Sequence, residues 1–267
     1  MHPVLRLYED VLSTAESIEF QLPPQPRFIF VVHGSATIGG KAVNEIAAWQ
    51  GEGATLVRPG PGGVTCWRWE LSRGDHGSTV ASAPGMISHE KLTAYLETLP
   101  KGELLMRGDS VSFPPGGCAY QHRHQGPGIR CMIEGGIRID THGRSTSYGP
   151  GGAWYETGPD PVFAQAAADK PSRFIRVMIL PRALIGKSGL DVPPHQPAQN
   201  GLERPALADD RPLGRDRPES LRLVAHRQPN LGRRHVGATG ASRPQLLFQL
   251  REESGNLTRF LSHCAGV

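Results

Sequence analysis

The chain lacks a long apolar run: no stretch approaches the roughly 20 residues that cross a bilayer. A membrane span is therefore not expected. The first twenty residues, MHPVLRLYEDVLSTAESIEF, have no basic flank followed by a long apolar segment, so no secretory signal is read there. Cysteine is scarce. The four (Cys66, Cys118, Cys131, Cys264) form no CxxC, which excludes a regular disulfide or zinc framework and predicts free thiols in a reducing, cytoplasmic setting. No GxGxxG opens a helix, no GxxxxGK[ST] is present and no serine stands in a GxSxG elbow. Dinucleotide, P-loop and α/β-hydrolase chemistry are thereby excluded. The net charge is only +4. Residues 1–187 carry 18 Lys+Arg against 17 Asp+Glu, so the main body has no basic surface for nucleic acid.

Turn formers are abundant instead. With 33 Gly and 24 Pro placed between short β-branched or aromatic runs, the pattern is that of an all-β protein. Strands are predicted at Ser17–Gln21, Arg27–Val32, Ala36–Ile38, Ala54–Val57 and Val64–Leu71. A second set follows at Asp109–Phe113, Ala119–His124, Ile129–Ile133, Ile137–Asp140, Ala153–Glu156, Val162–Ala166 and Arg173–Leu180. Glu90–Leu99 fits a short helix or a strand equally. VVHGSATIGG (31–40) resembles MIEGGIRIDTHG (132–143), and each precedes a Gly/Pro turn and a tryptophan strand, after Pro59 and after Gly149. Two similar units are expected, 1–90 and 91–187.

Residues 188–267 differ in kind. They hold 11 Arg and no Lys, eight prolines and only two aromatics, Phe248 and Phe260. Such a segment buries too little apolar surface to offset its ordering entropy, so a disordered tail is expected. An arginine-rich arm for acidic partners is a second reading. A third is that it reads GC-rich coding sequence out of register and has no evolved fold.

The stretch FPPGGCAYQHRHQGPGIRCMIEGG (113–136) carries the chemistry. It reads as strand, turn, strand. Residues two apart on a strand share a face, so His122 and His124 point the same way as a chelating pair. At His122–Gly135 the residues resemble the cupin superfamily, in particular its two-domain bicupins, whose first motif is Gly-x5-HxH-x3/4-Glu-x6-Gly. Gly116 or Gly117, His122, His124 and Gly135 fit it; the motif's Glu falls on Gly128 and the second motif's histidine near Val162, so both are missing. The resemblance covers about residues 25–187. It implies two jelly-roll β-barrels, an N-terminal one that is degenerate and metal-free, a C-terminal one with a pocket at its HxH, and a homodimer.

Cupin-like proteins often carry G-x-W-x-E, here Gly152–Glu156, which makes Glu156 a third ligand candidate beside His122 and His124. A 2-His-1-carboxylate set would hold Fe, Mn, Ni or Zn as a divalent ion and leave positions open for dioxygen or substrate. A salt bridge is the alternative role for Glu156. Arg130 has the parity to hold a substrate carboxylate, or to neutralise Glu156 or Glu134. Tyr120 and Trp154 are read as walls for a small organic ligand, with plain core packing as the alternative. Two functions follow: a metal-dependent enzyme on a small molecule, a dioxygenase first among them, or a non-catalytic binding or sensing module.

Overall fold

The computed structural model describes residues 2–14, 18–73 and 82–191, together with strand segments at 246–252 and 261–263. It is almost entirely β. The N-terminal half contributes β1 (Pro3–Leu12), β2 (Phe20–Leu22), β3 (Arg27–Ile38), β4 (Lys41–Asn44), β5 (Ala48–Gly51), β6 (Thr55–Arg73), β7 (Ser82–Ala83) and β8 (Met86–Tyr95). These form one sheet in the order β4-β3-β6-β1-β8-β7, with β2 on β6 and β5 on β3.

The C-terminal half contributes β9 (Leu104–Phe113), β10 (Gly117–His124), β11 (Gly128–Glu134), β12 (Ile137–Thr141), β13 (Arg144–Tyr148), β14 (Ala153–Glu156), β15 (Val162–Ala166) and β16 (Ser172–Pro181). A 3-10 turn (Arg182–Leu184) and β17 (Leu190–Asp191) follow, then β18 (Leu246–Glu252) and β19 (Leu261–His263). Two sheets result, β14-β11-β16-β9-β18 and β13-β12-β15-β10-β17, with β19 also on β10.

The all-β expectation holds, but the backbone ladders do not close into two rings: each half is built from open sheets. Several strands escaped the sequence reading, β1, β4, β5 and β13 among them. In β1, charged Arg6, Glu9 and Asp10 hide the apolar signal, yet both faces are buried because Arg6 and Asp10 turn inward to partners. The ambiguous 90–99 region is strand β8 up to Tyr95, paired to β1, so the N-terminal sheet continues past residue 90. The strand predicted to begin at Asp109 begins at Leu104, so Arg107-Gly108-Asp109 lies inside β9.

The tail beyond residue 191 lies outside the described residues apart from β18 and β19. Of the cysteines, Cys66 and Cys131 are free and buried as expected, whereas Cys118 is disulfide-bonded; Cys264 lies outside the described residues. Burial pushes the Cys131 thiol up to about 12, which keeps it inert.

Much of the strand pairing in one half recurs in the other: β1 on β6 matches β9 on β16, and β3 on β4 matches β12 on β13. β1 and β9 have the same burial pattern along ten residues. Gly34 and Gly135 hold φ of 79° and 78° at the same kink. The hairpins that follow turn through Gly39-Gly40 and His142-Gly143, each with two successive positive φ values, as a two-residue primed turn requires. The register corrects one sequence pairing. AWYE of β14 stands on β11 as AWQG of β5 stands on β3, so Trp154 corresponds to Trp49 and not to the tryptophans after Pro59.

The halves join through a shared apolar layer. Leu5, Leu7, Phe28, Phe30, Trp67 and Trp69 meet Met106, Ile129, Cys131, Ile175, Val177 and Ile179. Strands β11 and β16 are therefore buried along most of both faces, and their arginines Arg130 and Arg176 lie inside the protein. Gly108 lets Phe28 seat: a Cβ there would lie 2.2 Å from the Phe28 ring. Gly108→Val is expected to cost about 1–3 kcal/mol by overpacking. The denaturant midpoint would read this, and Phe28→Leu in the same chain should restore part of it. An unchanged midpoint would mean the joint is not tightly packed.

Candidate functional site

The inner faces of the C-terminal half's two sheets enclose a cleft of about 600 Å³ counted out to its mouth, with a free interior of about 50 Å³. Val111, Phe113, Arg130, Trp154, Glu156, Phe174 and Arg176 come from the sheet that backs onto the N-terminal half. Ala119, His122, His124, Ile139, Val162 and Ala164 come from the other. The free interior holds a few waters or a molecule of few heavy atoms.

Strand β10 presents both histidines inward, as the i, i+2 spacing predicts: their rings are 4.9 Å apart at 87°, and both are buried. A register shift between Ala119 and His122 lets Ala119 also face in and carries Tyr120 outward. Tyr120 thus stands at the mouth, 57% exposed, and not as a buried wall. Trp154 is buried, stacks on Tyr148 at 4.9 Å, meets Phe174 edge-on and donates its Nε1–H to Glu156 Oε1 at 2.8 Å. It is both wall and support.

Glu156 and Arg130 form a closed pair. Arg130 donates to the Gly128 carbonyl at 2.7 Å and places a guanidinium nitrogen 2.7 Å from Glu156 Oε2. His124 Nε2 lies 3.1 Å from the same oxygen. Neither contact aligns as a hydrogen bond, so Oε2 is held by charge rather than by direction. Burial pushes the Glu156 carboxyl up, but Arg130, His124 and Trp154 together outweigh it and hold the group well below the usual carboxylate range. Burial in turn pulls Arg130 down to about 10.

The tautomers follow from the partners. His122 Nδ1 is 2.7 Å from the Tyr120 carbonyl, which only accepts, so Nδ1 carries the hydrogen and Nε2 keeps the lone pair. His124 Nε2 faces an ionised carboxylate, so it carries the hydrogen, and the lone pair sits on Nδ1, which has no partner. Both imidazoles are neutral: burial pulls His122 below its ordinary value and His124 down to about 3.

Those facts test the metal reading. Among the described residues no group of three His, Cys, Asp or Glu is arranged to hold a metal ion. His122, His124 and Glu156 do converge, but the nitrogen of His124 nearest the carboxylate bears a proton, and a guanidinium already neutralises that carboxylate. Gly128 is the residue whose carbonyl Arg130 grips, and Val162 stands directly across from His122 in the ladder. As arranged, these residues do not fit a divalent cation.

Sequence reasoning missed Asp109 and Arg176. Arg130, Arg176 and Asp109 are register neighbours on β11, β16 and β9, and Arg176 Nε contacts Asp109 Oδ2 at 3.0 Å. Arg107 reaches the same oxygen at 3.2 Å. The alternation LLMRGDSVSF was the available signal, had β9 been extended back to Leu104.

No family model and no curated protein matches the chain. Solved structures do. A single-substitution mutant of Bacillus subtilis oxalate decarboxylase matches at 12% identity over 66% of this chain and 68% of that one, with a TM-score of 0.42. Another structure, concerned with substrate binding and a reaction-specificity switch in oxalate decarboxylase, matches at 12% identity over 65% and 68%, with a TM-score of 0.45. A cupin 2 conserved barrel domain protein from Leptotrichia buccalis matches at 10% identity over 67% and 84%, with a TM-score of 0.40. Among the described residues no helix is long and apolar enough to cross a membrane.

Proposed function

We propose that the C-terminal half is a binding module for a small organic acid, acting without a bound metal. The observation that carries this reading is the internal Glu156–Arg130 pair, which supplies in the chain the positive charge that a metal would bring. Beside it, His122 offers a lone pair on Nε2, and Arg176 brings a second guanidinium to a cavity otherwise walled by valine, isoleucine and phenylalanine. A ligand of two to four carbons fits the volume. Its carboxylate would meet the guanidinium side and its hydroxyl would donate to His122. Thermal shift and calorimetry with two- to four-carbon acids, with and without an α-hydroxyl, test it. At least one α-hydroxy acid should raise Tm at millimolar concentration, and His122→Ala should weaken it at least tenfold. If no acid shifts Tm, the reading fails.

A second reading keeps a metal-dependent enzyme, such as a dioxygenase, on the same residues. The convergence of His122, His124 and Glu156 on one cavity favours it. Near-stoichiometric metal in wild type after incubation with Fe(II), Mn(II), Ni(II) or Zn(II), lost in His122→Ala/His124→Ala, would replace the first reading with this one.

A further inference from the structure

We propose that Arg130 is the residue that decides whether this site takes a metal: its guanidinium occupies the cation's place, and its removal converts the cluster into a divalent-metal site. The inference rests on the metal-free reading above and names its cause.

The geometry points to one side chain. Glu156 is held on both oxygens, by Trp154 Nε1 on Oε1 and by Arg130 and His124 beside Oε2. Of these partners only Arg130 carries a full positive charge, and it does so fully buried, 2.7 Å from the oxygen that faces His124. A divalent ion approaching Oε2 must displace that charge or sit against it.

The remaining side chains are of the types that ligate metals, and with the guanidinium gone they would have to draw together, because as placed they form no three-ligand group among the described residues. His122 is fixed by the Tyr120 carbonyl with Nε2 as its lone-pair nitrogen, the second contact that ligating histidines usually make. His124 has a vacant acceptor at Nδ1, so its proton can move from Nε2 to Nδ1 without breaking a bond there. Trp154 would continue to orient the carboxylate. The backbone supports the same conclusion. Arg130 donates to the Gly128 carbonyl at 2.7 Å, so a main-chain oxygen holds the guanidinium beside Glu156.

The test compares wild type, Arg130→Met and Arg130→Gln. Each is incubated with Mn(II), Ni(II) or Zn(II) chloride and desalted, and bound metal is then measured with Tm in the presence and absence of the ion. Wild type is expected to retain little metal. The Arg130 variants should bind at least tenfold more, approaching one equivalent, with Tm raised by the ion, and adding His122→Ala should abolish both effects. Arg130→Gln keeps a hydrogen-bond donor for Glu156 and guards against a fold lost through an unpaired carboxylate. If neither variant folds alone, ion added before refolding must restore the near-UV spectrum, and failure to do so overturns the proposal. Folded variants that bind no more metal than wild type also overturn it. An equivalent of metal in wild type would instead overturn the metal-free reading.

Discussion

Arg68→Met should lower Tm by about 10 °C, the largest stability loss expected from one substitution in the N-terminal half. Arg68 is fully buried. It grips Asp10 through two nitrogens at 2.6 and 3.0 Å, contacts Glu70 at 2.8 Å and lies 4.2 Å from the Tyr8 ring centre. Burial pulls its pKa down, but Asp10 and then Glu70 outweigh that and raise it, so the charge is maintained. Methionine fills much of the volume but leaves Asp10 to Ser88 and Glu70 to Arg27. An unpaired buried charge costs about 3–5 kcal/mol, and for a chain of this size each kcal/mol moves Tm by about 2–4 °C. Asp10→Leu/Arg68→Met removes both partners and should recover most of the loss, because apolar replacement of a buried pair is often close to neutral. Thermal unfolding of the three proteins checks this. A double variant no better than the single one would mean that Arg68 matters for shape and not for charge.

Acid should destabilise the protein well before ordinary carboxylate titration. Burial holds His122 and His124 neutral, His124 down to about 3, while unfolded imidazoles titrate near 6.5. Between those values the unfolded chain binds more protons, so stability rises with pH and is lost as pH falls from 6.5. At about 1.4 kcal/mol per pH unit for one proton, His124 alone accounts for about 2.5 kcal/mol between pH 7 and 4.5. Glu156, depressed by Arg130 against the effect of burial, adds to the loss in the same direction below 4.5. Denaturant unfolding at pH 7, 5.5 and 4.5 would measure the slope, and His124→Gln should flatten it. A wild-type curve level across that range would show that these imidazoles accept protons while folded.

The sheet architecture and the inward histidine pair were legible because both rest on local period-two alternation. Where that alternation was interrupted, the reading slipped. The bulge after Ala119 moved Tyr120 to the mouth, a one-residue effect that no pattern count detects. β1 and β9 were hidden or cut short because their inward positions are charged; a buried arginine looks like a surface one until its carboxylate is found across the sheet, as Asp10 is for Arg68 and Asp109 for Arg176. The partnership of Glu156 with Arg130 was in view as an alternative role. Choosing it required the distance, since ligand and counter-ion have the same sequence signature.

The matching ladders of the two halves let one be compared with the other. At the register position where the second copy has Gly128, the first has Arg27, bonded to Glu70 at 2.9 Å and filling the inside of its sheet. The first half thus carries a buried ion pair where the second carries no side chain. That arginine cannot simply be transplanted: a Cβ at Gly128 would lie 2.4 Å from the Val177 carbonyl, so the strands of the second half sit too close at this point to admit any side chain.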